Sequence, residues 1–309
     1  MKITISSNQF PLFQPDGLDD VKDPCPIFDG RQWHLFGSGG TVTTETWKIY
    51  HATAPALEGP WTQEALISLP IEGSGVAAPG VIFDGAIFHM FIQTEFMKPG
   101  GKCEHLMSND GFTWVALPTA FFAQADTAEH GIYDPHPAVI GGQKYIAYSA
   151  MPRFKTVPQP DIYLARSTSG SWFGPWERMG KILDHEDVPH HNPRNHADYE
   201  WGIEGPQLVE LPDGRVMLNA TCFLPEGPRG CRQRVFFAVA DRVEGPYRSI
   251  GPVLDPDQAG ENGHSTVLID GDQIQLFYQS RLAETGHKWR YGILTATVEA
   301  IRHTSALAA

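Results

Sequence analysis

Four polar residues stand at corresponding places in short, similar segments of the sequence. Asp23 begins DPCPIFDG, Asp134 begins DPHPAVIGG, Glu204 begins EGPQLVE and His264 begins HSTVLIDG. When carboxyl groups share a buried pocket, their pKa values move apart, so that one stays protonated while another stays ionised. Hydrolysis of a glycosidic bond needs that division, because a carboxylic acid protonates the leaving oxygen and a carboxylate activates water. These residues are suited to such chemistry if the fold brings them together.

A repeat of short strands and turns runs through the whole chain. Five β-rich runs enter glycine-containing turns: IFDG at 27–30, IFDG at 82–85, VIGG at 139–142, LPDG at 211–214 and LIDG at 268–271. The last glycines of these turns follow one another at intervals of 55, 57, 72 and 57 residues. A second strand rich in aromatic and aliphatic residues follows every turn, so each unit opens with a β-hairpin.

Five such units predict an all-β fold, a single five-bladed β-propeller spanning residues 1–309, in which each blade is a four-stranded antiparallel sheet. A β-sandwich would show turn signals every ~8–12 residues without the longer period. The predicted blades cover approximately 20–70, 76–118, 131–184, 202–254 and 261–301. A strand at 2–6 is expected to close the ring beside residues 291–298.

The turn glycines also give a register for the innermost strands. Counting seven residues back from Gly30, Gly85, Gly141 and Gly271 reaches Asp23, Ala78, Asp134 and His264 in the first, second, third and fifth units. In the fourth unit the ELPDG turn breaks the count, and the local sequence IEGPQLVE places Glu204 at the corresponding strand entry, within one or two residues. Innermost strands lie closest at the axis, so the three carboxylates are expected to share one pocket.

Each Asp-Pro pair also has a simpler interpretation as the start of a strand. Asp favours turns, and the residue before proline is disfavoured in a helix. The common register of Asp23 and Asp134, with Glu204 and His264 at the same level, favours a shared site instead.

With these motifs the chain resembles the five-bladed glycoside hydrolases of family 43 and their relatives over essentially its whole length. The resemblance implies that Asp23 of KDPCP is the general base and Glu204 of IEGP the general acid. It implies that Asp134 of YDPHP orients the base and raises the pKa of the acid. It implies that His264 of NGHS faces either a water cluster or a central divalent cation, with calcium as the candidate. No cofactor is expected to be required. Cleavage with inversion at an arabinose, xylose or galactose linkage is implied, with an oligosaccharide or glycoside as the partner.

Other functions fit the same strand pattern. Where the family often has a sugar-stacking Trp-Ala-Pro, this chain has Ala77-Ala78-Pro79, which leaves the sugar open. A related glycoside phosphorylase would need basic groups gathered on a phosphate, and the candidates are Arg153, Arg166 and Arg281. A propeller that binds carbohydrate without cleaving it, or a repeat scaffold for protein partners, would keep the same blades.

Four further residues are candidates for contact with substrate. Tyr133 and Trp201 offer flat apolar rings for a sugar face, with blade packing as the alternative. His136 lies two residues after Asp134 and therefore on the same face of the strand. Arg281 follows the second strand of the fifth unit and could fix a hydroxyl or a carboxylate, or lie on the surface.

Charge and composition narrow the classes of partner. The chain has 36 acidic and 23 basic residues, a net charge of −13, so nucleic acid and anionic membrane surfaces would meet repulsion. The start MKITISSNQF has no apolar signal region, and no run reaches the ~18 apolar residues of a membrane span. We expect a cytoplasmic protein whose four cysteines, which form no CxxC, are free thiols.

Overall fold

The computed structural model of the chain describes residues 5–13, 18, 20–40, 47–95, 101–124, 127–151, 159–188, 202–224, 232–254, 261–270, 273–281 and 289–297. These residues form 21 β-strands in five antiparallel sheets and one short 3-10 helix at His185–Asp187. No helix in the described part of the chain is long and apolar enough to cross a bilayer.

Each sheet runs from an innermost strand at the axis to an outer strand at the rim, in the order of the sequence except for the outer strand of the fifth sheet. The first blade is β2 (Asp20–Phe28), β3 (Trp33–Gly40), β4 (Lys48–Ala54) and β5 (Thr62–Ile67). The second is β6 (Ala77–Phe83), β7 (Phe88–Thr94) and β8 (Lys102–Ser108), with β9 (Val115–Ala116) and β10 (Phe121–Phe122) both paired to β8.

The third blade is β11 (Gly131–Ile140), β12 (Gln143–Met151), β13 (Asp161–Ser167) and β14 (Trp176–Leu183). The fourth is β15 (Glu204–Glu210), β16 (Val216–Leu224), β17 (Arg232–Ala240) and β18 (Arg248–Pro252). The fifth is β19 (Glu261–Asp270), β20 (Gln273–Arg281), β21 (Arg290–Thr297) and, at its rim, β1 (Ile5–Phe13).

The five innermost strands contact one another in a closed ring, in the order β2, β6, β11, β15, β19 and back to β2. This arrangement confirms the predicted five-bladed β-propeller. The N-terminal strand completes the fifth blade, because β1 pairs antiparallel with β21. Its bounds are Ile5–Phe13 where 2–6 was predicted, and residues 1–4 lie outside the described residues. The second blade extends to Phe122, beyond the expected end at 118.

The hydrophobic core is divided among the seams between blades. Each seam has its own cluster of buried apolar side chains contributed by both neighbouring sheets. Burial of these faces is the main favourable term for such a fold, since a single blade has no other way to remove its apolar faces from water. Members from the two sheets of each cluster include Phe36 and Met90, Phe91 and Tyr148, Leu164 and Phe236, Phe237 and Leu276, and Phe277 and Tyr50.

Candidate active site

Every innermost strand breaks its pairing register once near its start, and the residue at the break has a left-handed backbone. The φ angles are 53° at Asp23, 54° at Ala78, 50° at Asp134, 63° at Gly205 and 27° at His264. Such a bulge bends the strand and redirects the side chain. Four of the five residues are not glycine, and a positive φ is costly for them. The strain therefore lies at Asp23, Asp134 and His264, three of the four residues that the sequence register selected for chemistry, and at Ala78.

The fourth position of this ring is Gly205, and Glu204 precedes it by one residue. The sequence register predicted Glu204 at the bulge, within one or two residues. The break in pairing between Glu204 and Gln207 places Gly205 there instead, one residue after the predicted position. Glu204 thus occupies a second ring of positions, one residue before each bulge. The members of that second ring are Lys22, Ala77, Tyr133, Glu204 and Gly263.

The imidazole of His264 joins two of the candidate carboxylates. Its Nδ1 lies 2.9 Å from Asp23 Oδ1, and its Nε2 lies 2.8 Å from Glu204 Oε1. Asp134 completes the group, because its Oδ2 accepts a hydrogen bond of 3.1 Å from the Gly205 amide. One carboxylate oxygen of Asp23, one of Asp134 and a ring nitrogen of His264 lie within 4.8 Å of one another. Side chains from the first, third, fourth and fifth blades therefore meet at one end of the axis.

The charges in this group divide protonation between the carboxyls. Burial alone would raise the pKa of Asp23, but the His264 charge and hydrogen bond outweigh it and hold the pKa below its usual value. Burial raises the pKa of Asp134 to about 8; His264 opposes this shift, and Glu204 and Asp23 reinforce it. The pKa of His264 lies well above its ordinary value, because attraction to the three carboxylates exceeds the penalty of burial. At neutral pH the group combines an imidazolium, an ionised Asp23 and a protonated Asp134.

The expected calcium site can be compared with this arrangement. Calcium prefers six to eight oxygen ligands, and Asp23 and Asp134 offer carboxylate oxygens close together. Both ring nitrogens of His264, however, contact carboxylates, so neither presents a lone pair to an ion. His264 does not fit as a cation ligand in this arrangement.

A narrow cavity on the axis continues inward from the carboxylates. Prolines that follow four of the bulges line it together with Cys25 and His136. His136 keeps partial exposure there, its Nδ1 lies 3.1 Å from the Pro137 carbonyl, and burial lowers its pKa to about 4. His136 therefore lies on the wall of the channel, and its contact with substrate stays a prediction.

The other predicted substrate contacts have different surroundings. Tyr133 is 1% exposed and lies directly before Asp134. The guanidinium of Arg281 forms a short ion pair with Glu261 and stacks 4.5 Å from the Trp289 ring, so its charge is already neutralised. Trp201 lies outside the described residues.

Of the arginines that would bind phosphate in a phosphorylase, the two that the structure describes, Arg166 and Arg281, lie in different blades and are each paired with a glutamate. Arg166 is on the third strand of its blade, paired with Glu177 at 2.6 Å on the outer part of the sheet. Arg281 is buried against Glu261 in the fifth blade, and Arg153 lies outside the described residues. The phosphorylase alternative therefore gains no basic cluster from the two arginines that the structure describes.

Lys22 is a charged neighbour of the site that the sequence did not reveal. Its ammonium lies 4.7 Å from the centre of the Trp47 ring and 5.7 Å from that of Trp289, and its charge helps to lower the pKa of Asp23. The two tryptophans are far from Lys22 in the sequence, so neither spacing nor motif pointed to this contact. Lys22 occupies the same position in the first blade as Glu204 in the fourth.

The bulge amides have partners that sequence reasoning also missed. In every blade the N–H of the bulge residue donates to a side-chain oxygen on the second strand of the preceding blade. The pairs are Asp23 to Gln279 at 3.0 Å, Ala78 to Ser38 at 2.8 Å, Asp134 to Gln93 at 2.9 Å, Gly205 to Ser149 at 3.2 Å and His264 to Thr221 at 2.8 Å. A polar residue eight positions after the turn glycine in an otherwise apolar strand was the available signal, at Ser38, Gln93 and Gln279.

Scans of the sequence against protein-family models and curated proteins find no match. The fold, in contrast, matches solved structures along almost the whole chain. A thermostable family 43 glycoside hydrolase superposes with a TM-score of 0.64 at 16% identity, covering 91% of this chain and 89% of that one. The α-L-arabinanase of Cellvibrio cellulosa in complex with arabinohexaose gives 0.68 at 14% identity, covering 93% and 98%.

The catalytic domain of a family 62 α-L-arabinofuranosidase from Coprinopsis cinerea gives a TM-score of 0.66 at 14% identity, covering 94% of this chain and 96% of that one. Identities this low establish the fold alone. The chain has the five-bladed propeller fold found in these glycoside hydrolases, which confirms the architecture that the resemblance implied.

Proposed function

We propose that this protein is a glycoside hydrolase that cleaves with inversion, using Asp23 as general base, Glu204 as general acid and Asp134 as the group that tunes them. The single observation that carries the proposal is the contact of Asp23 and Glu204 with opposite nitrogens of His264, with Asp134 beside them. A water molecule activated by Asp23 attacks the anomeric carbon, and Glu204 gives its proton to the departing glycosidic oxygen. Asp23 gains one proton and Glu204 loses one, so the step balances.

The arrangement of the two carboxylates is compatible with inversion. Their oxygens contact opposite nitrogens of one imidazole, at 2.9 and 2.8 Å, and inverting enzymes hold the pair roughly 6.5–9.5 Å apart to leave room for water. Retaining enzymes bring the pair to about 5–5.5 Å so that one carboxylate can attack the sugar.

The division of protonation supports the same roles. A base must be ionised at the working pH, and the lowered pKa of Asp23 meets that need. An acid must hold a proton at the working pH. The pKa of about 8 at Asp134 supports a proton being kept among the carboxyl groups of the site at neutral pH. In the proposed reaction that proton moves to Glu204 when the glycoside binds, and Asp134 is then the ionised member of the pair.

Neutral glycosides of arabinose, xylose or galactose are the first substrates to test. Two of the structural neighbours named above are an α-L-arabinofuranosidase and an α-L-arabinanase solved with arabinohexaose. We therefore propose an arabinose-, xylose- or galactose-containing oligosaccharide as the substrate. A propeller that binds such a sugar without cleaving it is the competing function.

The experiment is turnover of aryl glycosides and linear oligosaccharides by the wild type, Asp23→Ala and Glu204→Gln. We expect each variant to lose at least about 10²-fold in kcat with the fold intact. Glu210→Gln, at the far end of the same strand as Glu204, is the matched control and should keep wild-type turnover. Proton NMR of the first-formed product should show the anomer opposite to that of the substrate. Sugar-induced stabilisation of the wild type without product would favour the binding function.

A further inference from the structure

The strained backbone of the site is held by a ring of buried side chains that belong to neighbouring blades. In all five seams, an oxygen on a second strand accepts the N–H of the next blade's bulge residue. The five acceptors are Gln279, Ser38, Gln93, Ser149 and Thr221, and each is at most 3% exposed. A buried backbone donor has to be satisfied, so these contacts fix where each bulge lies.

The register of the acceptors is the same in every blade. Each pairs, within its own sheet, with the residue that precedes that sheet's bulge. The pairs are Ser38 with Lys22, Gln93 with Ala77, Ser149 with Tyr133, Thr221 with Glu204, and Gln279 with Gly263. The acceptor therefore lies at the level of the active site and bonds across the seam to the next blade. The position of each bulge residue thus depends on a side chain of the preceding blade.

The type of acceptor follows the type of residue that it holds. Both aspartates of the site, Asp23 and Asp134, are held by the amide oxygen of a glutamine, whereas hydroxyl groups hold Ala78, Gly205 and His264. A backbone N–H can meet only an acceptor, so the oxygens of Gln279 and Gln93 are turned towards the aspartates. A left-handed φ at a non-glycine residue persists only where surrounding contacts impose it.

We propose that Gln279 and Gln93 are positioning residues, which hold Asp23 and Asp134 in their left-handed conformation and so aim the two carboxylates at the axis. This inference rests on the proposed hydrolase function for its kinetic test. The contact itself can be tested without turnover.

The first test replaces each glutamine by methionine, which keeps the length and removes the acceptor. Displacement of a reacting group by as little as about 1 Å can cost 10²-fold in rate, so Gln279→Met and Gln93→Met should lower kcat by roughly 10- to 100-fold with KM changed by less than about threefold. Gln207→Met is the matched control. Gln207 also bonds across a seam, accepting from the Val267 amide at 2.6 Å and donating to its carbonyl at 3.1 Å, and this variant should keep the wild-type kcat.

The second test uses no substrate. In the wild type, NMR of the His264 ring nitrogens reports the contact between Nδ1 and Asp23. Gln279→Met should shift that resonance, and Gln207→Met should leave it unchanged. If Gln279→Met does not fold, Gln93→Met, which loses a bond in a different seam, still gives the kinetic answer.

The outcomes separate the two proposals. A shifted His264 resonance in a protein that cleaves no glycoside supports the positioning role and removes the hydrolase function. Unchanged kcat in both glutamine variants, or an equal fall in Gln207→Met, overturns the positioning role while the hydrolase function stands.

Discussion

His264 Nδ1 lies 2.9 Å from Asp23 Oδ1, and this contact joins the last blade of the ring to the first. The carboxylate is buried beside an imidazole whose pKa is well above its ordinary value, so each charge has its counter-charge within hydrogen-bond distance. Glu204 takes the other ring nitrogen at 2.8 Å. The seam that closes the propeller is therefore also the place where the candidate base and acid are connected.

Removal of the imidazolium should damage both stability and turnover. In His264→Gln two buried carboxylates lose their shared cation, and breaking a buried charge pair by removing one partner costs about 3–5 kcal/mol. We expect urea denaturation at neutral pH to show a loss of that order, together with a fall in kcat. A variant as stable as the wild type would contradict the assignment of His264 as the central cation.

Two buried histidines outside the site should make the fold sensitive to acid. Burial, with help from a histidine neighbour, lowers the pKa of His51 and of His105 to about 3. An unfolded histidine takes a proton at about pH 6.5, so between that pH and about 3 the unfolded chain binds more protons than the folded one. The free energy of unfolding therefore falls as pH falls through this window.

The double variant His51→Phe, His105→Phe tests this pH dependence. Phenylalanine keeps the stacking on Phe36 and Phe91 and removes both protonation sites. Denaturant titrations at pH 6.5, 5.5 and 4.5 should show a shallower decline for the variant, even where its stability at neutral pH is lower. An identical slope would mean that other groups carry the acid sensitivity.

Divalent cations should not be needed. Both ring nitrogens of His264 are occupied by carboxylates and the ring is positively charged, so an ion at the axis would meet repulsion. Dialysis against EDTA should leave turnover and the melting temperature unchanged. A rise in melting temperature with added calcium chloride, which measures binding to the folded state, would show that the carboxylates release His264 for the ion.

Strand β1 should be essential to the closed ring. It covers the edge of β21, and Tyr278 on β20 donates a 2.8 Å hydrogen bond to Asn8 and stacks on Phe10. Deletion of residues 1–13 would leave that edge unpaired and should lower the melting temperature by more than about 10 °C or make the protein aggregate. Gln9→Ala, an exposed position on the same strand, is the control, and equal melting temperatures for the deletion and the wild type would contradict the role.

Much of the fold follows from local rules that the sequence displays. The turn glycines fixed the hairpins, and counting back from them reached Asp23, Asp134 and His264, which the structure places at equivalent bulges. The count failed in the fourth blade, because the turn between Glu210 and Val216 is longer than those between Phe28 and Trp33 or Ile140 and Gln143. A change in turn length moves the register without changing the strand pattern.

The remaining features of the site depend on contacts between distant parts of the chain. Lys22 is held between Trp47 and Trp289, and the amide of Asp23 is held by Gln279, 256 positions away. Trp47 and Trp289 stand in no recognisable motif, and Gln279 is marked only as a polar residue in an otherwise apolar strand. The buried ion pair of Arg281 with Glu261 likewise depended on packing that strand periodicity does not encode.

The most direct test of the proposed site is a crystal structure with a short arabinose-, xylose- or galactose-containing oligosaccharide bound. We expect a sugar at the axial end of the propeller, its anomeric carbon between Asp23 and Glu204, and the two carboxyls roughly 6.5–9.5 Å apart as inversion requires. A sugar bound on another surface of the propeller, or carboxyls only about 5 Å apart around the sugar as retention requires, would contradict it.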